Sequence, residues 1–112
     1  MSDKKAPILV IEEQETLRRI LLNLLSQLGF SNVEDVADLS SATDKLNANA
    51  YRIVIADLVQ FKDLPVGNAA RLAITPDSAA ETLAAVKSAG AAALVRPFDA
   101  EMLKHKLITL LG

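Results

Sequence analysis

Residues 51–75 read YRIVIADLVQFKDLPVGNAARLAIT: an apolar run ending on Asp57, a broken stretch, then a second apolar run closed by Thr75. IVIA is continuous and rich in β-branched residues, as expected of a strand buried on both faces. If the two runs are parallel neighbours, the chain must cross back between them, and a helix usually carries that connection. Only eleven residues lie between Val59 and Arg71, near the lower limit of roughly 10–12 for a complete crossover. Pro65 is disfavoured inside a helix, and Gly67 and Asn68 are turn formers. The stretch therefore predicts a third crossover helix that is absent or reduced to one turn.

Such a deletion would strip cover from one face of the two strands. With both faces apolar, Ile53, Ile55, Leu72 and Ile74 would contribute to an exposed patch. The loop could collapse over it, the flanking helices could close the gap, or a second chain could cover it. The expectation is a homodimer through the shortened-helix face.

The rest of the chain supplies the partners of these strands. ILVI (8–11) is another buried strand, NVEDVA a more charged edge strand, and AALV the last strand. Between them, QETLRRILLNLLSQLG carries Leu17, Ile20, Leu21, Leu24, Leu25 and Leu28 at helical spacing, with Gly29 at the C′ position. Its apolar face is wide, because Leu22 joins Leu21 and Leu25; a broad core stripe and a partner surface both fit. Residues 41–48 predict a short helix with Ser41 and Asp44 as its capping pair. DSAAETLAAVKSAG predicts a helix opened by a Ser78–Glu81 capping box and closed on Gly90. DAEMLKHKLITLLG predicts a closing helix with Asp99 as N-cap and Met102, Leu103, Leu107 and Leu110 among its apolar positions. Strands separated by helices specify an α/β fold with a doubly wound parallel sheet.

At 112 residues the chain makes one domain, residues 1–112. Cysteine is absent and His105 is the only histidine, so disulfides, thiolate sites and a zinc centre are excluded. Net charge is −2 with both signs dispersed, which argues against a nucleic-acid partner. No run is long enough to span a membrane, and the N-terminus lacks an apolar core, so a soluble cytoplasmic protein is expected.

The four apolar strands each end on a group capable of chemistry. ILVI runs into Glu12 and Glu13, IVIA into Asp57, LAI into Thr75 and AALV into Arg96. In an open parallel sheet these ends share one rim, where such folds bind ligands. Clustered carboxylates raise one another's pKa, and a divalent cation relieves the conflict. Oxygen ligands without His or Cys suit Mg²⁺. A carboxylate beside that cation can attack a phosphoryl group, with the hydroxyl and the fixed cation sharing the charge on its oxygens.

These motifs together resemble a response-regulator receiver domain, particularly the single-domain chemotaxis type. ILVIEEQETLRRILLNLLSQLGF resembles its first strand, acid pair and first helix. IVIAD resembles the phosphoacceptor strand, AIT the fourth strand with its hydroxyl, and LVRPF the fifth strand with its basic residue and proline. The resemblance implies a flavodoxin-like five-stranded sheet of order 2-1-3-4-5 and a role in phosphorelay (two-component) signal transduction. Asp57 would be the phosphoacceptor, and Glu12 and Glu13 the metal-binding acid pair. Val59 would offer its backbone carbonyl to Mg²⁺, Thr75 would be the switch hydroxyl, and Arg96 would replace the usual lysine, with a cis bond to Pro97. Partners would be a histidine kinase or phosphotransfer protein and a downstream protein target. No enzymatic activity is implied beyond self-phosphorylation and autodephosphorylation at Asp57.

The chain departs from that pattern at four places. Glutamates replace aspartates in the acid pair, each adding roughly 1.3–1.5 Å of reach. Arginine replaces lysine, and its planar fork can clamp Glu13 or Asp57. Ala92 and Ala93 stand where an aromatic switch residue belongs, and Gln60-Phe61 replaces Met-Pro. The alternative is a pseudo-receiver, an unphosphorylated interaction or dimerisation module. A flavin- or nucleotide-binding protein of the same architecture would need a phosphate loop where the acidic EEQET stands. A hydrolase would need a nucleophile elbow or a histidine base, and the sequence supplies neither.

Overall fold

A computed structural model describes residues 3–112. The elements run β1 (Ile8–Ile11), α1 (Glu15–Gln27), β2 (Val33–Val36), α2 (Leu39–Ala48) and β3 (Ile53–Asp57). After a 3-10 helix (Leu58–Asp63) come β4 (Ala70–Thr75), α3 (Ala80–Ser88), β5 (Ala91–Val95) and α4 (Ala100–Leu111). All neighbouring strands pair in parallel in the order β2-β1-β3-β4-β5. This is the doubly wound, flavodoxin-like sheet expected, with β2 at one edge.

Two apolar layers hold the sheet. On one face Ile8, Val10, Ile53, Ile55, Leu72, Ile74 and Leu94 meet Leu21 and Leu25 of α1 and Leu103 and Leu107 of α4. On the other, Leu9, Ile11, Val54, Ala56 and Ala73 meet Ala42 of α2, Val86 of α3 and the crossover residues Phe61, Leu64 and Val66.

The third crossover is indeed cut down. A six-residue 3-10 helix stands in place of an α-helix, and residues 64–69 lead directly into β4. The face it leaves open is, however, the opposite of the one expected. Right-handed crossovers place α2, α3 and the third connection on the same side, because β2→β3, β3→β4 and β4→β5 all step in one direction across the sheet. Ile53, Ile55, Leu72 and Ile74 point to the α1–α4 side and are all buried. The affected residues are Val54, Ala56 and Ala73, and the loop itself covers them with Phe61, Leu64 and Val66. The uncovered patch that motivated self-association through this face is therefore filled from within the chain.

Other boundaries moved for local reasons. The N-cap of α2 is Asp38, whose side chain accepts the Ser41 N–H at 2.7 Å, so Ser41 lies in the first turn. Ala79, without a side-chain cap, precedes α3; Asp77 Oδ1 instead accepts the Ala79 N–H upstream, and the Ser78–Glu81 box does not form. Asp99 caps α4 as expected, accepting from Met102 N at 2.9 Å. Met102 itself is 43% exposed and lies outside the core. Leu22, Leu24 and Leu28 pack at the margin of the α1–α4 layer, so the wide face of α1 is mainly a broad core stripe. The Arg96–Pro97 bond is cis.

Candidate functional site

Parallel pairing brings the carboxyl ends of β1, β3, β4 and β5 to one rim. Glu12 follows β1 directly and is buried, at 6% exposure. Its backbone N–H donates to Val36 O, and its Oε2 accepts the Gln14 N–H at 3.0 Å. Arg18 of α1 donates to the Glu12 carbonyl at 2.9 Å and pairs with Asp35 at 3.0 Å. The turn after β1 is thus fixed from both the helix and the edge strand.

Asp57 closes β3, and its side chain is 43% exposed. Arg96, beyond β5, brings Nη2 to 3.5 Å from Asp57 Oδ1 and to 3.5 Å from Glu12 Oε1. One nitrogen therefore straddles two carboxylates at the outer limit of a hydrogen bond. Burial, then the charge of Glu12, push the Asp57 carboxyl above its usual value, and Arg96 only partly opposes them. The site holds more negative charge than its single cation offsets.

The remaining expected residues are less engaged. Glu13 is exposed, and no hydrogen bond or ion pair joins it to Asp57 or Arg96 among the described residues. No group of three or more His, Cys, Asp or Glu side chains is gathered for a metal among the described residues, so the three acids converge less closely than expected. Thr75 is fully buried and donates its hydroxyl to Asp77 O at 3.1 Å, into its own loop and not toward Asp57. Its carbonyl accepts the Arg96 N–H at 2.9 Å, which fixes the two strand ends beside each other. Val59 is 71% exposed and lines the cavity beside Asp57.

A cavity of about 530 Å³ opens beside Asp57 and Arg96, walled by Leu58 and Val59 on one side and Glu81, Thr82 and Ala85 of α3 on the other. Sequence reading missed this wall, because Glu81 was assigned to a capping box that does not form. Gln60, whose side chain accepts the Asp57 N–H at 3.2 Å, was also passed over as a mere departure from pattern.

The donor set suits Mg²⁺. Only oxygen ligands face the rim, and this ion needs one or two carboxylates while keeping several waters. Glu12 is buried, with Oε2 taken by the Gln14 N–H, while Glu13 is exposed and Asp57 half-exposed, so Glu13 and Asp57 are the more accessible carboxylates.

No family model matches the chain. It is 32% identical over 123 residues to chemotaxis protein CheY1 of Helicobacter pylori, covering 94% of this chain and 96% of that protein. It is 30% identical to chemotaxis protein CheY-3 of Vibrio cholerae, over 94% and 91% of the two. The aligned span with CheY1 exceeds the 112 residues of this chain, so that relative carries residues this chain lacks within the match. Among solved structures, Vibrio cholerae CheY4 superposes with a TM-score of 0.83 at 23% identity, over 96% of this chain and 99% of that one. The receiver domain of a Pseudomonas aeruginosa sensor histidine kinase, with magnesium coordinated in its active site cleft, gives 0.79 at 20% identity, over 96% and 98%. The chain belongs to the response-regulator receiver family, of the chemotaxis type, and is a receiver domain of two-component phosphorelay signalling.

Proposed function

We propose that Asp57 accepts a phosphoryl group from a phosphohistidine on a histidine kinase or phosphotransfer protein, and that the domain then signals to a downstream protein target. The observation carrying this reading is the half-exposed Asp57 carboxylate, facing an open cavity with Arg96 3.5 Å away and Glu12 sharing that same guanidinium. In the transfer an Asp57 oxygen forms the new O–P bond, the N–P bond breaks, and its electron pair returns to the donor imidazole.

Glu13, Asp57 and the Val59 carbonyl would hold Mg²⁺, with Glu12 fixing the turn that carries Glu13. When bound, the ion supplies charge to the phosphoryl oxygens. Arg96 favours the ionised, nucleophilic carboxylate and stabilises the charge on the transferred group. Thr75 would exchange its bond to Asp77 O for a phosphoryl oxygen, as the switch hydroxyl. The protein would be a cytoplasmic phosphoprotein, with self-phosphorylation and autodephosphorylation as the reactions of this domain.

The test is intact mass after incubation with acetyl phosphate and Mg²⁺, alongside a receiver of known activity. The expected result is one phosphoryl group on the native chain and none on Asp57→Asn. An unlabelled native chain beside a labelled control would overturn the reading and favour the pseudo-receiver.

A further inference from the structure

Gln60 and Phe61 stand directly after the strand end that carries Asp57, in a crossover that has lost its α-helix. Phe61 is accounted for, since it is buried against Val54, Ala56 and Ala73. Gln60 is only partly buried and belongs to neither apolar layer. Its Oε1 accepts the backbone N–H of Asp57 at 3.2 Å.

That contact lies where the sheet supports β3 from one side only. The pairing of β1 with β3 ends at Val10↔Ile55, two residues before Asp57, whereas β4 still pairs with Asp57 through Ile74. The 3-10 helix begins at the next residue, Leu58, and such helices have poorer hydrogen-bond geometry than α-helices. Leu58 packs only at the margin of the apolar layer and Val59 is 71% exposed, so the start of this helix is held by packing less firmly than its end. Its first buried anchor is Phe61. Between strand end and anchor, the Gln60 side chain closes a ring back onto the Asp57 peptide.

We propose that Gln60 is a positioning residue for Asp57. Its amide oxygen fixes the peptide plane from which the Asp57 carboxylate projects, and with it the relation of that carboxylate to the Val59 carbonyl. A longer crossover would hold this turn by packing a full helix on the sheet. Here a side-chain tether takes that part. The role in phosphorylation rests on the reading of Asp57 proposed above; the tether itself does not.

Three variants separate these points: Gln60→Ala, which lacks the acceptor; Gln60→Met, which keeps the length without a strong acceptor; and Gln60→Glu, which keeps an oxygen at the same reach. Amide hydrogen exchange at Asp57 should accelerate roughly five-fold in Gln60→Ala and Gln60→Met, as expected for one lost hydrogen bond. It should return to the native rate in Gln60→Glu. Phosphorylation by acetyl phosphate at limiting Mg²⁺ should slow by a similar factor in the first two variants, with thermal midpoints lowered by no more than about 5 °C. Native exchange rates in Gln60→Ala and Gln60→Met would overturn the tether. Faster exchange with native phosphorylation rates and native Mg²⁺ dependence would reduce Gln60 to a helix cap and overturn the positioning role. If the native chain itself takes no phosphoryl group, the phosphoacceptor reading falls and the positioning role with it, while hydrogen exchange still decides the tether.

Discussion

Arg96 gives the site two opposed tendencies. Its Nη2 lies 3.5 Å from both Glu12 and Asp57, so the guanidinium already occupies part of the charge deficit that a metal would fill. A planar fork can span two carboxylates where a compact ammonium serves one at a time. With Arg96 39% exposed, the clamp is open to solvent and its strength belongs with exposed pairs, near 1 kcal/mol at most. Removing the competing charge should therefore tighten Mg²⁺ binding while removing help for the transferred phosphoryl group. For Arg96→Gln, calorimetric titration should show Mg²⁺ affinity rising by about five-fold, the equivalent of about 1 kcal/mol. Its phosphorylation rate at saturating Mg²⁺ should fall. A parallel loss of both would mean that Arg96 organises the site and does not compete for it.

The crossover and the caps show which elements the sequence makes legible. The strands, α1 and α4 were readable because buried parallel strands are continuous apolar runs and Leu recurs at helical spacing. The missing helix was readable from chain length and from Pro65 and Gly67. Which face it exposed was not, because alternation assigns Ile53 and Val54 to opposite sides without saying which helices lie there; crossover handedness decides that. The caps failed for a smaller reason. Asp38 and Ser41, three residues apart, and the adjacent Asp77 and Ser78 are all competent caps, and residue type alone does not choose between them. In the site, strand ends located Asp57, Thr75 and Arg96, but side-chain direction turned Thr75 toward Asp77. If the loop does replace the helix, Phe61 should be as costly to truncate as a core residue. Phe61→Ala should lose about 3 kcal/mol in urea unfolding, whereas Met102→Ala, on the exposed side of α4, should stay within about 0.5 kcal/mol.

For the molecule as a whole, the acidic groups act on stability in two directions. Glu34 accepts from Lys45 at 2.8 Å and from Tyr51 at 2.7 Å, and these bonds lower its pKa below 4.5, joining β2, α2 and the approach to β3. Asp38 is lowered below 3.8 by the Ser41 N–H, and Asp77 by Thr82 and then the Ala79 N–H. A depressed folded-state pKa adds stability that is present above the unfolded value and lost as pH falls through the folded one. These three groups therefore build the acid limb below pH 4.5. Tyr51, pushed up to about 12 by burial and then by Glu34, adds stability that is full below pH 10 and lost as pH rises toward 12. Asp57 works against the acid limb. Its raised pKa means that its contribution is present below 3.8 and lost as pH rises through the folded value, so at neutral pH the ionised carboxylate costs the fold stability. A reactive group held by burial and a neighbouring charge is a common origin of such a cost. In metal-free buffer Asp57→Asn should therefore unfold at a higher temperature than the native chain at pH 7. The difference should shrink as pH is lowered and vanish below about 3.8, where Asp57 is protonated in both states. Thermal midpoints measured across that range decide it: a variant less stable at pH 7 would mean that the Arg96 contact outweighs burial and Glu12 together. The same series repeated with Mg²⁺ should narrow the gap from the other side, because an ion held by Glu13 and Asp57 stabilises only the native chain.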